Sequence, residues 1–103
     1  MKKLPSFIVA NNPMVDHRVF IVHSRNPRFI AEPVHFNLDQ EKEWMQFKRE
    51  SNLGASVDYP GKLIAIRVHW IEDNNQTAQR LAKLMSRMGD WYHAYLKFED
   101  SQY

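Results

Sequence analysis

One amphipathic stripe runs from residue 76 to residue 98, and it constrains the fold more than any other feature of the chain. With residue 78 at position a of a heptad, apolar residues occupy every a and d position: Ala78, Leu81, Met85, Met88, Tyr92 and Tyr95. The b, c and f positions are polar except at Ala94. Because this period is that of an α-helix, we predict one helix over residues 76–98.

The stripe contains one ambiguity, at Gly89 and Asp90. A helix that ended there would leave residues 91–98 as a further strand, because apolar and polar side chains also alternate over that range. The heptad frame nevertheless passes through Gly89 without a shift. One glycine on the exposed side of a helix costs only about 1 kcal/mol, so we favour the continuous helix.

Length and composition indicate one small globular domain. The 103 residues form a single domain, residues 1–103, and a hydrophobic share of 44% is enough for one core. The chain contains no cysteine, which excludes disulfides, thiolate nucleophiles and thiolate zinc sites. A net charge of +2 is mildly basic; it allows nucleic acid as a partner without arguing for it.

The composition also predicts a cytoplasmic protein with no membrane contact. No run approaches the roughly 18 consecutive apolar residues that a membrane-spanning helix needs. The first ten residues imitate a secretory signal only loosely, because their apolar stretch is short and follows Pro5.

Four runs of β-branched and aromatic residues precede the stripe and predict strands. They are Phe7–Ala10, Arg18–His23, Phe29–Phe36 and Leu63–Ile71. Pro33 lies inside the third run, and proline has no amide hydrogen for a strand ladder. We therefore expect the third strand to lie at an edge of the sheet or to be bulged at Pro33.

A shorter helix is predicted to begin after Asn37, which has Gln40 three residues later in the spacing of a capping box. Its thin apolar face consists of Leu38, Trp44, Met45 and Phe47, which suits a helix that lies on a sheet. Residues 51–62 are expected to be irregular. The order is thus β-β-β-α-β-α, which predicts an α+β domain. We expect a small mixed or antiparallel sheet with two helices on one face, the last helix being long.

No catalytic motif, metal site or cofactor site is predicted, and a binding role is favoured over an enzymatic one, which stays open. No two of the five histidines lie at positions i and i+2, as a metal site on a strand would need. The spacing of Arg87 and His93 resembles the Arg-x4–6-His signature of HEPN ribonucleases. That superfamily is an all-α bundle, whereas the first 70 residues here are rich in strands. Arg18 and His23 fit the same signature within a strand.

Basic residues form two loose groups. Arg80, Lys83 and Arg87 share the polar side of the predicted long helix. A second group on the sheet is the candidate nucleic-acid-binding set: Arg18, Arg25, Arg28, Arg67 and His69. Phe20, Phe29 and His35 are expected to add stacking surfaces to that set. The simpler interpretation, a solvated polar face, is favoured for both groups.

The first functional hypothesis is a small cytoplasmic binding or regulatory module that acts through protein–protein contacts. A 23-residue helix spans about 35 Å, so part of its apolar face should extend past the sheet. The candidate interface is the aromatic end of that helix: Trp91, Tyr92, Tyr95, Leu96 and Phe98. The partner would be a second copy, giving a homodimer, or another protein for which the module is an inhibitor or adaptor. Nucleic-acid binding is the second hypothesis, and a small nuclease or hydrolase is the third.

Overall fold

The protein is an α+β domain, as its sequence predicts. The computed structural model describes residues 6–11, 19–51, 54–71 and 77–101, with the backbone alone at residues 70 and 71. The strands are β1 (Phe7–Asn11), β2 (Val19–His23), β3 (Phe29–Phe36), β4 (Gly54–Tyr59) and β5 (Lys62–Ile71). The helices are α1 (Glu41–Glu50), which follows a short 3-10 turn over Leu38–Gln40, and α2 (Ala78–Ser101). The prediction of a long last helix is confirmed.

The five strands form one antiparallel sheet in the order β1-β2-β3-β5-β4. Strand β4 corrects the expectation that residues 51–62 are irregular. Val57 pairs with Ile64, and a turn at Pro60 and Gly61 joins β4 to β5. Gly61 has a φ of 80°, a conformation that glycine adopts without strain. Sequence reasoning missed β4 because it is rich in glycine, serine and aspartate, which are depleted in strands.

Pro33 occupies a strand at the centre of the sheet, so the expected edge position is wrong. Its pairing partner on β5 is Ile66, and the bulge lies instead between Ile30 and Ala31. The described pairing between β2 and β3 ends at Ala31, two residues before Pro33. Among the described pairings, Pro33 therefore has a partner on β5 only.

The two helices contact opposite faces of the sheet, although one shared face was expected. Tyr92 of α2 contacts His35 of β3, whereas Phe47 of α1 packs on the next residue, Phe36, with ring centroids 5.7 Å apart. Side chains alternate along a strand, so consecutive residues of β3 point to different faces. The indole Nε1 of Trp44 also donates a hydrogen bond of 3.2 Å to the Ile64 carbonyl oxygen.

Helix α2 continues without a break through Gly89, which confirms the continuous helix over the alternative strand. Gly89 does not lie on the exposed side, however. It is buried against β4, and an added Cβ would lie 3.5 Å from the Ser56 carbonyl oxygen and 3.6 Å from the Ala55 Cβ. The core lies between α2 and the sheet, and its largest fully buried side chains are Ile21, Phe29, Ile64, Ile66 and Met88.

Two glycine substitutions test how closely α2 approaches β4. Gly89→Ala adds a methyl group at ordinary contact distances and removes the helix penalty of glycine, so it should stabilise the protein by about 0.5–1 kcal/mol. Gly54→Ala places its Cβ against the Ile66 carbonyl oxygen on the paired strand and should be destabilising. Urea denaturation of both variants measures the difference. A Gly89→Ala variant as unstable as Gly54→Ala would show that α2 lies closer to the sheet than described.

Candidate functional site

A concave, positively charged surface lies between α2 and the loop that joins β2 to β3. This cleft has a volume of about 330 Å³. Its lining residues are Ser6, His23, Arg25, Asn26, Pro27, Arg80, Lys83, Leu84 and Arg87. We call it the basic cleft because four of these residues are cations, and all four are exposed: Arg25, Arg80, Lys83 and Arg87. No carboxylate is among these described lining residues.

Helix geometry places three of the four cations in line. Arg80, Lys83 and Arg87 are separated by three and four residues, a spacing that keeps side chains on one face of a helix. That face borders the buried stripe, since Leu84 and Met88 are their neighbours on α2. Packing of α2 on the sheet therefore brings this row beside the loop that carries Arg25.

The loop opposite α2 is held in place by the buried residue His23. The ring of His23 lies between Phe7 and Phe29, with centroid distances of 5.0 and 4.9 Å. Its Nδ1 lies 2.7 Å from the Pro27 carbonyl oxygen, an acceptor, so Nδ1 carries the hydrogen and donates this bond. The Ser24 amide donates a further bond to the Ser6 carbonyl oxygen. These contacts fix the backbone on both sides of Arg25.

Charge is segregated within the molecule. The four cations of the basic cleft exceed the net charge of the whole chain, which is +2, so the remaining residues are acidic in sum. Acidic residues concentrate in the turn before α1 and in its first turn, namely Asp39, Glu41 and Glu43. Helix α1 packs on the other face of the sheet, so these acidic residues lie away from the basic cleft.

The predicted aromatic interface is largely incorporated into the core. Rings follow one another at centroid distances of 4.9–5.8 Å in the order Phe29, His23, Phe7, Trp91, Tyr95 and Tyr92. Tyr92 is 3% exposed, and Trp91, Tyr95 and Leu96 are half-buried against the core. Of the five predicted residues, only Phe98 is exposed, at 61%. Phe7 of β1 covers Trp91, with ring centroids 5.4 Å apart.

A second polar cluster lies on the face of the sheet that α1 partly covers. Glu32, which is 6% exposed, accepts a hydrogen bond of 2.8 Å from Nε2 of His69. Nη2 of Arg67 lies 3.6 Å from the same carboxylate oxygen, and its guanidinium stands 4.8 Å above the ring of Phe47. We call Glu32, Arg67 and His69 the Glu32 cluster. The pairing of Glu32 with Arg67 across β3 and β5 creates it.

The structure divides the predicted nucleic-acid-binding set between two surfaces. Arg25 lines the basic cleft, and Arg28 is exposed just before β3. Arg67 and His69 belong to the Glu32 cluster on the other face. Arg18 lies outside the described residues. Phe20 is beside His69, with ring centroids 6.3 Å apart, whereas Phe29 and His35 lie on the α2 side of the sheet.

Sequence reasoning missed that Arg25 lies close to the cations of α2, namely Arg80, Lys83 and Arg87. Arg25 and these cations are more than fifty residues apart, and no local pattern reports the docking of α2 beside the β2–β3 loop. Arg87 and His93, which resemble a ribonuclease signature in spacing, are not brought together. Arg87 lines the basic cleft, while His93 contacts Tyr59 of β4 at a centroid distance of 5.7 Å.

Comparison with protein-family models, with curated proteins and with solved structures finds no match. Within the described segments, no helix is both long and apolar enough to cross a bilayer. No cluster of three or more metal-ligating side chains occurs among those same residues. A functional proposal therefore rests on the geometry and charge of the two polar surfaces.

One part-buried hydrogen bond joins two groups whose pKa shifts make stability depend on pH. Tyr92 OH and His35 Nε2 lie 2.7 Å apart. Burial, and after it Tyr95, raises the pKa of Tyr92 from 10.0 to about 12. Its stabilising contribution is complete below pH 10 and is lost as the pH rises through 12. The pKa of His35 is lowered from 6.5, mainly by burial and secondly by the charge of Lys62. The contribution of neutral His35 to stability is therefore complete above pH 6.5 and is lost as the pH falls.

Substitution of Tyr92 by phenylalanine tests this assignment. Tyr92→Phe removes the hydrogen bond and should cost about 1 kcal/mol at pH 7. Because the buried phenol is gone, the free energy of unfolding should then fall less steeply between pH 10 and 12 than it does for the wild type. Urea denaturation at pH 7, 10 and 11.5 measures both effects, with Tyr59→Phe as the control. An equal alkaline loss in wild type and Tyr92→Phe would contradict the assignment.

Proposed function

We propose that this protein is a small binding module whose basic cleft holds the backbone of a single-stranded nucleic acid. The observation that carries the proposal is the meeting of Arg25 with Arg80, Lys83 and Arg87 around one concave surface. Phosphate contacts from lysine and arginine supply most of the affinity of sequence-independent nucleic-acid binding. No carboxylate is among the described residues that line this surface, which supports a polyanionic ligand.

The shape of the basic cleft favours a strand over a small anion or a duplex. Residues 80–87 span about 10 Å along a helix, so the cations form a row that suits several successive phosphates. A duplex is usually recognised by an element that protrudes into a groove. The cations here line a depression between a helix and a loop, which suits one strand.

Charge reversal in the basic cleft tests the proposal. The triple substitution Arg25→Glu, Arg80→Glu and Arg87→Glu should abolish retention of a fluorescent single-stranded DNA at low salt, because three phosphate contacts become repulsions. For the wild type, the logarithm of the binding constant should fall linearly with that of the salt concentration, by about 0.7 per phosphate contact. Fluorescence anisotropy measures both quantities.

The matched control reverses three exposed cations elsewhere, with Lys42→Glu, Arg49→Glu and Lys97→Glu. It changes the net charge by the same amount but leaves the basic cleft intact. Equal loss of binding in the two triple variants would mean that net charge alone matters. That result would contradict the proposal, as would the absence of wild-type binding at low salt.

A protein partner is the second candidate, and the exposure of Phe98 favours it. Large aromatic side chains are enriched at protein interfaces, and Phe98 follows half-buried Tyr95 by three residues near the end of α2. The surface is smaller than the sequence suggested, since Tyr92 is in the core. A second copy of the chain is the partner that we propose for it. A regulatory role in the cytoplasm stays a prediction.

Removal of the Phe98 ring separates an interface from a structural role. Because the ring is exposed, Phe98→Ala should change the free energy of unfolding by no more than about 0.5 kcal/mol. If the surface joins two copies, the same variant should lower the molar mass measured by light scattering. Tyr92→Ala, in the core, should instead cost about 3–5 kcal/mol. A wild-type protein that stays monomeric at millimolar concentration would remove the second copy as a partner.

A further inference from the structure

We propose that the Glu32 cluster is a metal-independent site that cleaves RNA by attack of a ribose 2′-hydroxyl on the adjacent phosphate. The substrate class, a single-stranded nucleic acid, rests on the proposed function. The site itself rests on a separate observation, namely the placement of a buried carboxylate, an imidazole and a guanidinium together on the other face of the sheet.

The contact between Glu32 and His69 orients the imidazole so that its Nδ1 can act as a general base. A carboxylate only accepts hydrogen bonds, so Nε2 of His69 carries the hydrogen in the 2.8 Å contact. In the neutral ring, Nδ1 is then the nitrogen with a free lone pair. Glu32 is buried and fixes the tautomer and orientation of the ring, while the side chain of His69 remains 37% exposed and open to a substrate. Glu32 is thus a positioning residue.

Arg67 supplies positive charge beside the base. Its guanidinium is held over Phe47 and makes a long contact of 3.6 Å with Glu32. Its Nε has no hydrogen-bond partner among the described residues, and its side chain is 38% exposed. A fixed guanidinium next to a reacting phosphate stabilises the negative charge that develops on the phosphate oxygens. The cluster therefore contains a base and an anion-stabilising group.

The reaction balances without a metal or a cofactor. Nδ1 of His69 removes the proton of a 2′-hydroxyl, and the 2′-oxygen forms a bond to the neighbouring phosphorus. The bond from phosphorus to the 5′-oxygen breaks, and that oxygen takes a proton from water. The resulting hydroxide is neutralised by the proton on His69, which restores the neutral ring. The products are a strand with a 2′,3′-cyclic phosphate and a strand with a 5′-hydroxyl.

The β2–β3 loop connects the two surfaces along the chain. Arg25 lines the basic cleft, and Arg28, three residues later in the same loop, is exposed. Glu32 follows Arg28 by four residues along β3, about 13 Å at the rise of a strand. The ring centroid of Phe20 is 6.3 Å from that of His69. Phe20 therefore offers an aromatic surface on which a nucleobase can stack at the site.

Cleavage of a 5′-labelled single-stranded RNA in the presence of EDTA tests the inference. The wild-type protein should yield fragments that end in a 2′,3′-cyclic phosphate. His69→Gln retains a donor to Glu32 but has no base, so it should lower the cleavage rate at least about 100-fold. Glu32→Gln should lower kcat and leave KM unchanged, because Glu32 orients the base and does not bind the strand. His93→Gln, purified in the same way, is the matched control and should retain full activity.

Binding of the same sequence with 2′-O-methyl riboses, which cannot react, separates this inference from the proposed function. We expect His69→Gln to bind this strand as the wild type does. Binding without wild-type cleavage would overturn the inference and leave the proposed function standing. Cleavage without binding at the basic cleft would overturn the proposed function alone. Equal activity of His69→Gln and the wild type would overturn the inference, because the activity would come from elsewhere.

Discussion

The docking of α2 across the sheet is the contact on which the rest of the structure depends. Met85, Met88 and Tyr92 are buried at this contact, and each large buried side chain contributes about 1.5–3 kcal/mol. Gly89 lets the helix lie directly on β4. The row of rings from Phe29 to Tyr92 continues the contact into β1, β2 and β3. Both the core and the position of the basic row of α2 follow from it.

The same docking explains why the two polar surfaces are so different. Alternation along β3 directs His35 to the α2 face and Glu32 to the other face. On the α2 face, cations gather around a depression with no acidic residue among its described lining. On the other face, a buried carboxylate offsets the charge of Arg67 and accepts a hydrogen bond that orients His69. The first arrangement suits the binding of a polyanion, and the second suits proton transfer.

Local patterns in the sequence predicted most of the elements but not their assembly. The heptad frame through Gly89 identified α2, and β-branched runs identified β1, β2, β3 and β5, because those signals lie in one short stretch of chain. Strand β4 was missed because its few apolar residues form no strand-like pattern. Its pairing with β5 makes it a strand. The opposite placement of α1, the burial of Tyr92 and the basic cleft all depend on contacts between distant residues.

The candidate sites show the same limit. Arg25, Arg67 and His69 were singled out as basic residues with neighbouring aromatic rings, yet a sequence holds no sign that Arg25 meets α2 while the other two meet Glu32. The sequence gives no sign that Glu32 has these partners, because it does not show the register of β3 and β5. That register, which pairs Glu32 with Arg67, is a property of the folded sheet.

Chemical-shift mapping by NMR tests the central claim most directly, namely that the basic cleft holds a nucleic-acid strand. A ¹⁵N-labelled protein titrated with a short single-stranded DNA reports contact at every backbone amide. The account predicts that the largest shifts fall in residues 23–28 and 80–87, the two segments that frame the cleft. Shifts concentrated on α1 or near Phe98, or no shifts at low salt, would contradict it.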